Sequence, residues 1–142
     1  MDKIINELNK LLIKAIKNNE APVAAIITCN GKIIAKAYNK RNKSHITTDH
    51  AEIIAITKAN KKLKNWRANN CTLYISLEPC DMCKSVIKES RIDKVYYFLT
   101  RSPEKKQYKG TEFIAIDDTP DVITEFNKNY LKMIKKFWEN KR

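Results

Sequence analysis

Two short stretches about thirty residues apart, His50-Ala51-Glu52 and Pro79-Cys80-Asp81-Met82-Cys83, constrain this chain more than anything else in it. One imidazole and two thiolates make a ligand set suited to zinc. Three protein ligands leave a fourth position for water, whose pKa the metal lowers to roughly 7. The carboxylate of Glu52 can then handle protons beside the metal. Residues i and i+2 of a regular helix point far apart, so His50 and Glu52 can converge only in its opening turn. Thr48 or Asp49 is expected to cap that turn. Cys80 and Cys83 fall one turn apart at the start of a second helix, which Pro79 is expected to begin. Unpaired amides and the helix dipole stabilise thiolates there. A redox Cys-x-x-Cys would need no upstream His-x-Glu.

These stretches sit in a regular pattern of elements. Ile4, Ile5, Leu8, Leu11, Leu12, Ala15 and Ile16 recur at helical spacing. The apolar run from Ala21 to Thr28, the turn pair Asn30-Gly31 and the alternating Lys32 to Tyr38 read as a hairpin. His50 to Leu63 reads as a buried helix, Cys71 to Leu77 and Val95 to Leu99 as strands, and Glu112 to Ile116 as a short last strand. Asp121 to Arg142 reads as a closing helix, with Val122, Phe126, Leu131, Ile134 and Trp138 as its buried face. Strand, helix, strand around Cys80 implies a parallel crossover. Cys29 and Cys71 read as small core residues at strand ends. A chain of 142 residues suits one domain, 1–142.

The His-x-Glu and Pro-Cys-x-x-Cys pairing resembles the zinc-dependent cytidine/deoxycytidylate deaminase superfamily. Asn65-Trp66-Arg67, Cys71-Thr72-Leu73-Tyr74, Leu77-Glu78-Pro79-Cys80 and Ser90-Arg91-Ile92 resemble the bacterial tRNA-specific adenosine deaminases more closely. The resemblance implies an α/β fold, a three-layer α/β/α sandwich around a mixed sheet of about five strands. It implies that His50, Cys80 and Cys83 bind Zn2+, one ion per subunit. It implies further that a zinc-activated water attacks C6 of a flipped-out adenine while Glu52 carries the protons, giving inosine. Asn39 and Ala51 become the expected base contacts. Phe137, Trp138, Lys141 and Arg142 become an aromatic and basic tail for an RNA loop. A homodimer is usual in the family.

The chain departs from that pattern in three places. Ala24 stands where the resembled enzymes usually have Gly, adding a methyl near the expected pocket wall. Asp49 stands where a small residue is usual and is a candidate to orient the His50 imidazole. Residues 100–110, with Arg101, Lys105, Lys106 and Lys109, lack the family's Ala-Arg-Asp-x-Lys-x-Gly stretch. A deaminase of a free base or nucleoside is therefore the alternative, with a non-catalytic zinc-stabilised RNA-binding subunit behind it.

Twenty-eight Lys and Arg against sixteen Asp and Glu give a net charge of +12 and pI of about 9.6. That excess suits a polyanion, and tRNA or another structured RNA is the expected partner. No apolar run approaches the ~20 residues a membrane span requires, so no membrane association and a cytoplasmic location are expected. His45 reads as a solvated loop residue.

Overall fold

A computed structural model describes residues 1–101, 110–116 and 121–140, the side chains of 121 and 122 excepted. The elements run α1 (Asp2–Lys17), β1 (Ala24–Cys29), β2 (Lys32–Tyr38), α2 (Arg41–Ser44), α3 (Ala51–Leu63), β3 (Cys71–Leu77), α4 (Asp81–Glu89), β4 (Lys94–Leu99), β5 (Glu112–Ala115) and α5 (Asp121–Glu139). The five strands form one mixed sheet in the order β2-β1-β3-β4-β5. β1 is antiparallel to both β2 and β3, whereas β3, β4 and β5 are parallel.

The hairpin turns on Asn30 and Gly31, both at positive φ (51° and 79°), the backbone that a two-residue turn between twisted strands demands. β1 is buried on both faces, which is why its sequence is a continuous apolar run. Ala25 and Ile27 pack into one core with Ala51, Ala55, Ile56 and Ala59 of α3 and Ile87 of α4. Ala24 and Ile26 face the opposite core, with Leu8 and Leu12 of α1 and Phe126 and Tyr130 of α5. Helices thus cover both sides of the sheet in three layers, as the sequence implies.

Some details differ from the sequence reading. Ile16 is 39 % exposed, because the buried stripe of α1 ends at Ala15. The buried face of α5 is Ile123, Phe126, Tyr130 and Phe137, while Leu131 and Trp138 are exposed. That stripe keeps the spacing of three and four residues of one helix face, and Leu131 and Trp138 fall one position past it. Tyr130 is easily missed as a core residue because of its hydroxyl, which here is satisfied on both sides. It donates to the Pro22 carbonyl (2.7 Å) and accepts from Ser76 Oγ (2.9 Å), which itself accepts from Ala24 N–H (3.1 Å). Burial pushes the Tyr130 hydroxyl above its ordinary range, so it stays protonated and able to donate. Cys29 and Cys71 are register partners on β1 and β3, and burial pushes the Cys71 thiol up to about 12.

The Tyr130 chain ties α5 to the residues just before β1. Tyr130→Phe keeps the ring but strands a buried carbonyl and a buried hydroxyl. It should cost about 1–3 kcal/mol of stability in urea denaturation.

Candidate active site

Tyr38, Ala24, Leu77 and Leu99 lie at one edge of the sheet, and the segments leaving or entering that edge carry the site. α3 begins with His50 at its N-cap position in an extended conformation (φ −78°, ψ 151°), which puts Glu52 in the first turn. α4 begins with Cys80 at its N-cap (φ −70°, ψ 169°) and has Cys83 as its third helical residue. Both pairs therefore occupy opening turns, where residues two and three apart can converge.

They do converge. His50 Nδ1 lies 3.9 Å from Cys80 Sγ and 3.4 Å from Cys83 Sγ, and the three ligand atoms are all within 4.8 Å of one another. Tetrahedral zinc, with Zn–S near 2.3 Å and Zn–N near 2.05 Å, holds sulfur and nitrogen about 3.6 Å apart. The observed separations bracket that value, and the donor set is the soft thiolate and imidazole combination that zinc takes. The residues fit the ion.

Three expectations about these helix starts need correcting. Neither Thr48 nor Asp49 caps α3. The N-cap is His50 itself, because its ring must leave the helix toward the thiols, and the Ala51 amide donates instead to Asn39 Oδ1 (2.7 Å) from the end of β2. Pro79 does not begin α4 but precedes its N-cap. Nor does Asp49 meet the imidazole. The outer nitrogen of His50, Nε2, faces Arg41 Nη1 at 3.2 Å, and Asp49 contributes its carbonyl to the Lys40 amide (3.0 Å).

The electrostatics of the site follow from this crowding. Hydrogen bonding from the Cys83 thiol, then from the His50 ring, holds the Cys80 thiol down to about 3. The same contact with Cys80, then burial, pushes the Cys83 thiol far up. The two thiols are thus coupled in their titration, and a metal must displace the proton that they retain. His50 is raised chiefly by its hydrogen bond with Cys80. Glu52 is 3 % exposed, and burial raises its carboxyl, bringing it nearer the range of a working proton carrier.

His50 and Glu52 open into a cavity of about 310 Å³, with Asn39, Arg41, Arg101 and Trp138 around it and Pro22, Val23 and Leu77 as apolar wall. Asn39 spends its Oδ1 on Ala51, leaving its Nδ2 donor for the cavity it lines. Ala51 itself is fully buried. Ala24 does not line this cavity. Its methyl is buried between the sheet and the α1 and α5 layer, so it takes nothing from the pocket. Of the C-terminal tail, Trp138 is 54 % exposed and lines the cavity, whereas Phe137 is buried and meets it edge-on at 5.2 Å. Lys141, Arg142, Lys105, Lys106 and Lys109 lie outside the described residues.

Sequence reasoning missed four residues around the site. Arg41 and Arg101 line the cavity, and Glu20 and Glu78 are buried behind them. Glu78 left a trace as part of Leu77-Glu78-Pro79-Cys80, and Arg101 as one cation of the charged stretch 100–110. Nothing local marks a glutamate such as Glu20 as buried, because its partners are amides twenty-two and twenty-three residues away.

Cys83→Ala should lose bound zinc and melt at lower temperature, since metal binding contributes to folding. Glu52→Ala, in contrast, should retain about one zinc per chain, because the carboxylate is not among the ligands. Elemental analysis with thermal melts separates the two, and equal loss of zinc in both would overturn the assignment.

Residues 2–99 match the family model described as the cytidine and deoxycytidylate deaminase zinc-binding region. Over 84 residues the chain is 42 % identical to the tRNA-specific adenosine deaminase of Bacillus subtilis, covering 59 % of this chain and 52 % of that protein. It thus spans about half the length of that relative. Over 129 residues it is 34 % identical to the tRNA-specific adenosine deaminase of Buchnera aphidicola, covering 81 % of this chain and 85 % of that one. The structure is also similar to that of guanine deaminase from Bacillus subtilis, with a TM-score of 0.66 at 25 % identity over 92 % of this chain and 93 % of the other. No helix among the described residues is long and apolar enough to cross a membrane. The match over residues 2–99 and the meeting of His50, Cys80 and Cys83 have one meaning: the chain belongs to the zinc-binding cytidine and deoxycytidylate deaminase family.

Proposed function

We propose that this chain is a single deaminase domain, 1–142, that converts adenosine to inosine in RNA, at the wobble position of a tRNA anticodon loop. The observation that carries the reading is the placement of buried Glu52 beside the His50, Cys80 and Cys83 set, facing a cavity that Asn39 and Trp138 also line. The two relatives named as tRNA-specific adenosine deaminases favour the substrate.

Bound by His50, Cys80 and Cys83, zinc supplies the Lewis acidity that makes water a nucleophile at neutral pH. Glu52 would take one proton from the attacking water, as the water oxygen bonds to C6 of adenine, and deliver it to ring N1. It then carries the second proton to the amino group, whose bond to C6 breaks. Adenosine and water thus become inosine and ammonia. A carboxyl raised by burial suits both directions of transfer. Asn39 offers Nδ2 to an acceptor on the base, held in direction by the Oδ1 contact with Ala51. Trp138 offers an exposed ring for stacking, and Phe137 buttresses it. Lys141 and Arg142 add charge beyond them. An anticodon loop is a low-cost target because its bases are already unpaired. On this reading the enzyme is cytoplasmic and works as a homodimer.

The similarity to guanine deaminase over nearly the whole of both chains favours a second reading, deamination of a free purine. Incubating the zinc-loaded protein with tRNA transcripts bearing a wobble adenosine, and in parallel with guanine and adenosine, decides between them. Mass analysis of the digested RNA should show inosine, and Glu52→Ala should lower its rate of formation by at least about a hundredfold. Turnover of guanine or adenosine with the transcript untouched would overturn the RNA reading.

A further inference from the structure

Two buried carboxylates near the cavity take no part in the chemistry, and each anchors the backbone at or next to an arginine. Glu20 is 1 % exposed, and its two oxygens accept from the Asn42 and Lys43 amides, both at 2.9 Å. Those amides belong to the short turn of helix that begins at Arg41. Glu78 is 2 % exposed. Its side chain accepts from the Arg101 amide (3.1 Å) and from Lys84 Nζ (2.9 Å), and its carbonyl accepts from Arg101 Nε (3.1 Å). Burying a carboxylate is costly unless it is fully hydrogen-bonded, so these contacts specify position strongly. What they position is a pair of guanidinium groups in the lining of one cavity.

Zinc ligation sharpens the requirement at Arg41. A ring that gives its Nδ1 lone pair to a metal keeps its proton on Nε2, and a guanidinium has no lone pair to accept it. His50 Nε2 and Arg41 Nη1, 3.2 Å apart, are then both donors at the cavity. An anionic oxygen satisfies both. Arg41 also stands on a boundary. A second cavity, of about 590 Å³, shares Ala21, Asn39, Arg41 and Trp138 with the first. A phosphodiester joining a base in one cavity to its neighbour in the other would cross the boundary where Arg41 is the one cation among the four shared residues.

We propose that Arg41 and Arg101 are the phosphate-holding arms of the cavity, set in place by Glu20 and Glu78, and that they select a nucleotide chain over a free base. The proposal rests on the deaminase reading of the same cavity. A free purine carries no phosphate for the two guanidinium groups to hold. A strand presents a phosphate on each side of the reacting base. Glu20 and Glu78 are positioning residues, acting only through the arginines.

The test uses the zinc-loaded full chain and a fluorescein-labelled anticodon stem-loop with adenosine at the wobble position, with binding read by anisotropy across a range of salt. Arg41→Gln and Arg101→Gln should each weaken binding about tenfold, the loss of one charged hydrogen-bonding group. Each should also reduce the slope of log K against log salt by about 0.7–0.9, the release of one phosphate contact. In turnover the loss should appear mainly in KM, and Arg41→Lys should restore charge but only part of the affinity. Glu20→Gln should reproduce the Arg41→Gln loss. The Glu20→Gln, Arg41→Gln double variant should bind no worse than Arg41→Gln alone, since the two act as one unit. A wild-type salt slope in both arginine variants would overturn the proposal, and so would losses that multiply in the double variant. Failure of the deaminase reading looks different: the stem-loop yields no inosine, while binding and its arginine-dependent salt slope remain.

Discussion

Everything at this site depends on two helices starting at the same edge of the sheet. α3 and α4 both aim their unpaired amides and positive dipole ends at one small volume, and that volume must be filled with negative charge or its equivalent. Cys80, Cys83 and Glu52 supply it, and His50 closes the set. The strand directions enforce the arrangement. β2 and β3 both end at this edge because β1 runs antiparallel to each, so the two connections lead into helices that begin side by side. A ligand set split by thirty residues of sequence becomes adjacent through sheet topology alone.

The same edge collects the side chains that surround the metal set. Pro22 and Val23 enter β1 there, Asn39 leaves β2, Leu77 ends β3 and Arg101 follows β4. α5 comes from the opposite layer and reaches the cavity by two residues, Ile134 and Trp138. Its placement is secured four and eight residues earlier, where Tyr130 bonds to the Pro22 carbonyl and to Ser76. A cavity wall and an exposed aromatic are thus held by one buried hydroxyl, a link between core packing and ligand contact that exposes no polar atom to an apolar core.

The metal set and the elements that carry it were legible in the sequence because their signals are local. Spacing within one helical turn identifies His50 with Glu52 and Cys80 with Cys83. Asn30-Gly31 marks its hairpin, and the bounds of β2 and β3 follow from composition. What was not legible depends on contacts between distant segments. The capping of Ala51 by Asn39 replaces the local cap that Thr48 or Asp49 offered. Arg41 rather than Asp49 meets the imidazole, because a short helical turn bound to Glu20 brings it back over the ring. The face of α5 was misread for a different reason. Aromatic and aliphatic residues occur on several sides of that helix, and only packing against Phe98 and Ile26 decides that Phe126 and Tyr130 go inside while Leu131 stays out.

The division of labour between centre and rim explains how one metal set can serve unlike substrates. The reaction at the centre needs a polarised water and a proton carrier, and neither reads the rest of the molecule that bears the base. Proteins similar to this chain in structure or sequence are accordingly named for guanine and for tRNA. Discrimination has to come from groups that touch what a free base lacks, namely ribose, phosphate and neighbouring bases. In this chain the cations that line the cavity include two arginines whose backbone segments are anchored by buried acids, while lysine supplies most of the excess of charge. Diffuse charge raises the encounter rate with any polyanion and falls away with salt, but it fixes no register. A guanidinium on a backbone segment anchored by a buried carboxylate is placed to hold one phosphate, and a phosphate so held would fix the position of the base beside it.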